Sequence, residues 1–383
     1  MDQKSKTSWW WIVGLVVVII VIYFATSGGS STTSGDVIKL GWVGPLTGEA
    51  AAYGEVMKNV TELTVNEVNK NGGVDGKQLQ VIYEDGKCAG KDSANATQKL
   101  VNVDKVQIVF GYMCSGESLA GVPIAAASKV LIFSAGSSSP KLTGISPYYF
   151  RDYPSDASQG KILADISYNN KGWRKVAFIQ EQTDYALGIF NAFNDEFTKL
   201  GGTVVKEEFP TGTSDFRSSL TKLKSEKPNA LFVDTQTPDA ADRIFKQLSE
   251  LAWKEPLLIS DAIAGDPATL QKNAVLLEGT LAAEFGTSMS NPKFSNLFEA
   301  YKKAYGTDMT YLGYGAAYYD AIYLLKDGIE AVGNNGEKLA AWSRTIKDWQ
   351  GASGVITIES TGDRASGHTP EVIKNGKTQP FSQ

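Results

Sequence analysis

The chain has 383 residues, of which 42% are hydrophobic and 21% are charged, and its net charge is −5. This is the composition of a globular protein long enough for two domains. The mild acidity, together with the lack of a basic stripe, argues against a nucleic-acid partner.

The N-terminal 35 residues differ in composition from the rest of the chain. Lys4 and Lys6 precede an apolar run over residues 9–25, and a Ser-, Thr- and Gly-rich linker follows over residues 26–35. This order is typical of an export signal with the protein body outside the membrane. As a helix the run is about 25 Å long, the short limit for a membrane span. We interpret it as an anchor to the cell membrane; a cleaved signal peptide, which leaves a secreted or periplasmic protein, is the alternative.

Strand and helix patterns alternate after residue 36. The first set comprises strands over residues 37–43, 79–83, 107–110 and 130–134, with helices over residues 55–69, 93–103 and 118–129. The second set comprises strands over residues 175–180, 203–207, 230–234 and 257–260, with helices over residues 186–200, 216–225 and 240–251. The alternation predicts an α/β fold with two doubly wound domains, each a parallel sheet with helices on both faces.

Two serine-rich turns, at residues 111–118 and 134–140, follow predicted strands of the first set. Gly and Ser let backbone N–H groups approach a ligand, and the hydroxyls add neutral donors. Ligands of doubly wound folds bind beyond the carboxyl ends of the strands. The pair of turns therefore predicts a pocket for an anion such as a carboxylate, although turn formation alone explains either one separately. Thr183-Asp-Tyr185 and Ser260-Asp261 lie at the same strand ends of the second set.

Catalytic motifs are largely missing from the sequence. Gly116-Glu-Ser-Leu-Ala120 lacks the final glycine of a hydrolase nucleophile elbow, and the glycine motifs of phosphate and dinucleotide sites do not occur. The single histidine, His368, falls in a polar stretch at residues 363–369, where we expect a surface loop. One histidine and two cysteines form no metal-ligand cluster. We expect no enzymatic activity, no cofactor and no metal site.

A group of tyrosines near the C-terminal third has helical spacing, which favours packing in the core over an aromatic cage. Its members are Tyr311, Tyr314, Tyr318, Tyr319 and Tyr323. Trp42, on the first predicted strand, is likewise expected in the core.

Cys88 and Cys114 are the only cysteines. An even count in an exported chain suggests a disulfide, and this one would close a loop of 27 residues, 88 to 114 inclusive. Two free buried thiols are the alternative.

A series of short motifs adds a family resemblance. In chain order they are Gly44-Pro-Leu-Thr-Gly48, Tyr53-Gly54, Asn69-Lys-Asn-Gly-Gly-Val-Asp-Gly76, Glu84-Asp85 with Cys88, Cys114-Ser115, the turn at residues 134–140, Asp156-Ala-Ser-Gln-Gly160 and Asp184-Tyr-Ala-Leu-Gly188. Their joint order, over residues 37–380, resembles the type I periplasmic solute-binding proteins, specifically the leucine/isoleucine/valine-binding family of ABC transporter substrate-binding proteins.

The resemblance implies two α/β lobes, joined by three hinge crossovers, that close on a small solute. Lobe 1 would hold residues 37–155 and 286–350, and lobe 2 residues 156–285 and 351–383, after a leader at residues 1–36. The implied function is an extracytoplasmic protein that captures an amino acid or amide-like solute and delivers it to an ABC permease. A ligand-sensing receptor component that signals through a membrane partner is the alternative, because the same lobes serve both roles.

The resemblance also assigns roles to single residues. Ser115, Ser137 and Ser138 match positions that contact the ligand carboxylate. Tyr53 and Tyr185 match aromatic pocket walls, and Asp156 matches a residue at the lobe crossover. Cys88 and Cys114 match the disulfide of the family.

Two positions depart from the family pattern. Leucine-binding members hold the ligand ammonium with a glutamate at the position that Ala262 occupies here. The adjacent Asp261 is the candidate replacement for that glutamate. Its alternative role is to cap the helix that follows. Gln236 and Thr237 stand near the position of an expected tyrosine. Both changes make the pocket more polar and argue against branched-chain specificity.

Overall fold

The computed structural model describes residues 37–382, so the predicted anchor or signal lies outside the described residues. Two large sheets and one two-stranded sheet make up its β-structure. None of the helices formed by residues 37–382 is both long and apolar enough to cross a membrane.

The first sheet has five strands in the order β2-β1-β3-β4-β5, and all neighbours are parallel. Its strands are β1 (Ile38–Gly44), β2 (Leu79–Asp85), β3 (Ile108–Gly111), β4 (Leu131–Ser134) and β5 (Tyr149–Arg151). The helices between them are α1 (Ala51–Lys70), α2 (Gly90–Asn102) and α3 (Ser115–Ala127). Every strand and helix predicted for the first set is present. Strand β5 was not predicted, because three residues are too short to show an alternating pattern.

The second sheet has seven strands in the order β14-β13-β10-β9-β8-β6-β7. Its strands are β6 (Lys175–Glu181), β7 (Thr203–Phe209), β8 (Ala230–Asp234), β9 (Leu257–Ile259), β10 (Leu281–Glu284), β13 (Thr369–Lys374) and β14 (Lys377–Pro380). The accompanying helices are α4 (Asp156–Asp165), α5 (Asp184–Lys199), α6 (Arg217–Ser225), α7 (Pro238–Glu250), α8 (Asp261–Ala264) and α9 (Pro267–Lys272). The predicted α/β fold with two helix-covered parallel sheets is confirmed.

An antiparallel edge extends the second sheet beyond the prediction. Strand β13 pairs antiparallel with β10 and with β14. The β13–β14 turn contains Asn375 and Gly376, with φ values of 52° and 69°. Positive φ at both central residues is what a two-residue hairpin turn needs, and Asn-Gly adopts it at low cost.

The chain returns to the first sheet after β10. It forms α10 (Pro292–Tyr305), α11 (Leu312–Val332), α12 (Gly336–Ser343) and the hairpin of β11 (Trp349–Gly351) and β12 (Gly354–Ile356). Leu297 and Tyr318 from these helices share one hydrophobic core with Trp42 of β1. Ala352 and Ile358 belong to the same core. We therefore propose that lobe 1 continues beyond residue 350, at least to Ile358.

The burial of Trp42, Tyr314 and Tyr318 agrees with the predicted packing role, whereas Tyr319 and Tyr323 are half-buried and pack against the edge of the same core. Trp42 and Tyr318 have no exposed surface, and Tyr314 is 4% exposed. In the other lobe, Phe178 on β6 packs against Phe193 of α5, with ring centroids 5.1 Å apart. This contact fixes the start of α5, and with it Tyr185, at the carboxyl end of the second sheet.

Candidate functional site

The two serine-rich turns meet as predicted, and their hydroxyls divide into two kinds. Ser137 Oγ accepts a hydrogen bond from Ser118 Oγ at 2.8 Å and lies 2.8 Å from the Tyr112 carbonyl oxygen, so it is used inside the turns. Ser115 Oγ only accepts, from the backbone N–H of Ser139 at 3.1 Å, which leaves its proton available. Ser138 Oγ is buried and has no hydrogen-bond partner of good geometry among the described residues. Ser115 therefore keeps a hydroxyl proton without a partner, Ser137 is bonded within the turns, and the Ser138 hydroxyl lies close enough to the Asp156 carboxyl to oppose part of the rise in its pKa.

A buried arginine holds the second serine turn from below. Arg151 has no exposed surface, and its Nη1 donates to the carbonyl oxygens of Ser137 at 3.1 Å and Ser139 at 3.0 Å. Its Nε forms an ion pair with Asp363 Oδ1 at 2.8 Å. The guanidinium satisfies the carbonyl side of the turn, so it fixes the turn without taking up the free hydroxyls.

Asp261 is the centre of the opposite side of the site. It is the first residue of α8, directly after β9, and it is completely buried. Its carboxylate accepts hydrogen bonds from the Tyr185 hydroxyl, from the Tyr153 hydroxyl at 2.9 Å and from Gln159 Nε2 at 2.9 Å. Burial alone would raise the pKa of Asp261, but hydrogen bonds and charge from His368, with the bonds from Tyr185 and Gln159, hold it at about 2. Asp261 is therefore an ionised carboxylate rather than only a helix cap.

Further carboxyl groups surround Asp261 without matching cations. Asp156 Oδ2, both oxygens of Asp234 and Glu284 Oε2 are buried and have no hydrogen-bond partner among the described residues. Burial raises the pKa of all three acids, and the negative charge of Asp261 raises each further. Buried charges are stable only when they are paired. In the empty site these three acids therefore favour the neutral form, and a bound cation would favour their ionised form.

Asp156 connects the two sides. Its backbone N–H donates to the Ser138 carbonyl oxygen at 2.9 Å. Gln159, one helical turn later, donates to Asp156 Oδ1 at 3.2 Å and to Asp261 Oδ1 at 2.9 Å. The start of α4 thus places the serine turns next to the carboxylate cluster.

The aromatic residues also lie at this junction. Tyr53 is 1% exposed, packs on Tyr311 with ring centroids 4.4 Å apart, and donates to the Ala262 carbonyl oxygen at 3.2 Å. Tyr185 donates to Asp261, as described above. Both predicted tyrosines therefore belong to the cluster, and Tyr53 contacts α8 from the first-sheet side.

Gln236 is the predicted residue that the structure does not join to the others. It is half-buried, and its backbone N–H donates to Glu181 Oε2 at 2.8 Å. No hydrogen bond in the described part of the chain links its side chain to the serine turns or to Asp261. Its role in ligand contact stays a prediction.

His368 is not on a surface loop, so that expectation is wrong. Its side chain has no exposed surface, its Nδ1 lies 2.8 Å from Ser158 Oγ, and its Nε2 lies 3.5 Å from Asp261 Oδ2. The next residue, Thr369, begins β13, which pairs with β10 in the sheet. This long-range pairing buries a segment whose local sequence is polar.

Sequence reasoning also missed several residues of the site. Tyr153 and Tyr314 stack with ring centroids 4.4 Å apart, and both hydroxyls contact Asp261. Gln159 stands three residues after Asp156, a spacing that places two side chains on one helix face. That spacing was a usable signal, whereas Tyr153 and Arg151 carry no local pattern.

The predicted disulfide between Cys88 and Cys114 is confirmed, with Cα atoms 5.2 Å apart. It links the loop after β2 to the residue before α3. Ser115 is therefore attached directly to a covalently fixed point.

The sequence profile of the periplasmic binding protein family matches residues 37–370. Leu/Ile/Val-binding protein homolog 2 of Brucella abortus is 28% identical over 330 residues, 85% of this chain and 87% of that protein. The crystal structure of the leucine-binding protein LivK from Thermotoga maritima has a TM-score of 0.82 and 28% identity, and the match covers 90% of this chain and 98% of that one. An ABC-transporter solute-binding protein of Rhodopseudomonas palustris, in complex with 3,4-dihydroxybenzoic acid, has a TM-score of 0.76 at 24% identity, covering 88% and 93%. At that identity the likeness shows the fold alone.

Proposed function

The chain belongs to the periplasmic binding protein family, and we propose that it binds an α-amino acid between its two lobes and delivers it to an ABC-type permease. Members of the family are extracytoplasmic solute-binding proteins. The choice of an amino acid rests on one observation. One side of the buried site has serine hydroxyls, and the other side has several carboxyl groups without a cationic partner among the described residues.

The serine side fits the ligand carboxylate. Ser115 and Ser138 offer hydroxyl donors, and Arg151 holds the turn that carries Ser138. A hydrogen bond to a charged group contributes about 1.5–3 kcal/mol. Neutral donors suit a solute that has to leave again for transport.

The acidic side fits the ligand ammonium. Asp261 is ionised, and Asp156 adjoins both sides. Asp234 and Glu284 add buried carboxyl groups without partners. An ammonium group placed here would satisfy carboxylates that otherwise repel one another. Asp261 thus takes the role that the resemblance gives to a glutamate, from the neighbouring position.

The ligand side chain would lie among polar groups. Tyr53, Tyr153, Tyr185 and Tyr314 surround Asp261 with hydroxyls as well as rings. A branched aliphatic side chain gains little from these hydroxyls. We therefore propose a polar or small amino acid rather than leucine, isoleucine or valine.

The Ser158-His368-Asp261 arrangement resembles a hydrolase triad but does not serve catalysis. Ser158 Oγ is held by the Ser155 carbonyl oxygen at 2.9 Å and by the backbone N–H of His368 at 3.2 Å, as well as by the imidazole. The Asp261 carboxylate is also held by two tyrosines and a glutamine instead of by the imidazole alone. We propose a binding protein without enzymatic activity.

Thermal-shift screening of the full chain tests the proposed ligand class. The panel comprises the twenty common amino acids, their carboxamides, and benzoate, each at millimolar concentration. A ligand present at about 100 times its Kd stabilises the fold by about 2.7 kcal/mol. We expect one or a few polar amino acids to raise the melting temperature. Stabilisation by benzoate or the carboxamides, with no amino acid active, would contradict the proposal.

A further inference from the structure

The Ser158 hydroxyl holds the ring of His368 in place. Its oxygen lies 2.9 Å from the Ser155 carbonyl oxygen and 2.8 Å from His368 Nδ1, and it accepts the backbone N–H of His368 at 3.2 Å. These contacts turn the other ring nitrogen, Nε2, towards Asp261, 3.5 Å from Oδ2.

His368 Nε2 faces the carboxylate cluster. His368 Nε2 is buried, lacks a hydrogen-bond partner among the described residues, and lies 3.5 Å from Asp261 Oδ2. Asp156 Oδ2 is also buried and unpartnered. Buried polar atoms without partners beside an ionised carboxylate are unfavourable unless a cation lies between them.

The spacing of the three groups suits a single ion. One donor atom from each of Asp156, Asp261 and His368 lies within 4.8 Å of the others. Donor atoms 2.0–2.2 Å from a tetrahedral ion are about 3.4 Å apart. The distance of 3.5 Å between His368 Nε2 and Asp261 Oδ2 already matches this separation of donor atoms. Only Asp156, whose Oδ2 has no other bond, needs to move inward.

We propose that Asp156, Asp261 and His368 bind one divalent transition-metal ion of the Zn²⁺ class. An imidazole with two carboxylates suits Zn²⁺, whereas Mg²⁺ and Ca²⁺ prefer all-oxygen sites. The fourth coordination position is left for water or for a donor atom of the solute.

The surrounding residues orient these ligands. Ser158 holds the His368 ring through Nδ1, the outer contact that metal-bound histidines usually make. Gln159 bonds both carboxylates, and Tyr153 and Tyr185 fix Asp261. This inference departs from the sequence-based expectation of no metal site, because His368 lies in a locally polar stretch and its carboxylate partners are distant along the chain. A Zn²⁺ ion on Asp156 and Asp261 would compete with the ligand ammonium that the proposed function places there, so metal binding is measured without amino acid.

Metal binding to the full chain tests the proposal. Protein stripped with a chelator and dialysed is titrated with ZnCl₂ by calorimetry, and bound metal is counted by elemental analysis. We expect one equivalent of Zn²⁺ for the wild type, no comparable binding of Mg²⁺ or Ca²⁺, and affinity at least about 100-fold weaker for His368→Gln. Glu226→Gln, which changes an exposed carboxylate, is expected to bind as the wild type does.

Two readouts keep the test decisive. Co²⁺ in place of Zn²⁺ gives visible absorption bands typical of a tetrahedral site, and this measurement needs only the wild-type protein. Asp156→Asn removes a ligand without altering the His368–Ser158 contact, so it serves if His368→Gln does not fold. Zn²⁺ binding that is absent, or that is unchanged in a folded His368→Gln or Asp156→Asn variant, would overturn the proposal.

Discussion

Arg151 Nε and Asp363 Oδ1 form an ion pair at a distance of 2.8 Å. The arginine side chain has no exposed surface, and the aspartate side chain is 9% exposed. The pair joins β5 of the first sheet to the segment that precedes β13. Its guanidinium also holds two carbonyl groups of the serine turn. The ion pair therefore supports both the fold and the serine turn at residues 134–140.

Arg151→Met is expected to destabilise the protein by about 3–5 kcal/mol, because it leaves the Asp363 carboxylate buried without its partner. Urea unfolding gives the free-energy difference. Arg217→Met is the matched control, since Arg217 pairs with Glu250 on the surface, with side chains 50% and 39% exposed. An exposed pair contributes about 0–1 kcal/mol. An equal decrease in the free energy of unfolding of the two variants would show that the buried ion pair stabilises the fold no more than the exposed pair does.

Ser115→Ala combined with Ser138→Ala is expected to weaken ligand binding by about 1–3 kcal/mol, through loss of hydrogen bonds to a charged group. Calorimetry with the amino acid that gives the largest thermal shift measures the change. Ser225→Ala removes a hydroxyl that bonds only within α6 and is expected to leave binding unchanged. Undiminished affinity in the double variant would remove both serines from the site.

Glu117 is expected to make stability depend on pH. It is completely buried, and burial raises its pKa to about 7, although backbone hydrogen bonds from Cys114 and Cys88 oppose the shift. The folded state thus favours the neutral carboxyl. Its contribution is complete below the unfolded pKa of about 4.3 and is lost as the pH rises towards 7, a change of about 3 kcal/mol. Urea unfolding between pH 4 and pH 8 measures this dependence.

Glu117→Gln is expected to lack this part of the pH dependence, because the amide does not titrate. Glu62→Gln, which alters an exposed side chain paired with Lys58, is expected to keep it. A pH profile that is the same in Glu117→Gln and in the wild type would assign the dependence to other groups.

Removal of the disulfide by Cys88→Ser with Cys114→Ser is expected to cost about 3.5 kcal/mol, from the entropy of the loop that the bond closes. Reduction of the wild type with dithiothreitol should produce a similar loss in urea unfolding, and the double variant should not respond to the reductant. Wild-type stability that is indifferent to reduction would contradict the expected contribution.

Local patterns in the sequence predicted the repeating strands and helices, because apolar periodicity and glycine stops are local properties. They also placed Ser115, Ser138 and Asp261 at strand ends, where ligands of this fold bind. The burial of His368 depends instead on pairing between β13 and β10, strands separated by more than 80 residues. Arg151 was missed for the same reason, since its partner Asp363 is 212 residues away.

The measurement that tests the central claim most directly is calorimetric titration of the full chain with one amino acid and with its 2-hydroxy acid. The two ligands share the carboxylate and differ in the ammonium, which the acidic side of the site is proposed to bind. Loss of an interaction with a buried charge costs several kcal/mol, so we expect the hydroxy acid to bind at least about 100-fold more weakly. Equal affinity for the two ligands would contradict the assignment of Asp261 and its neighbours to the ligand ammonium.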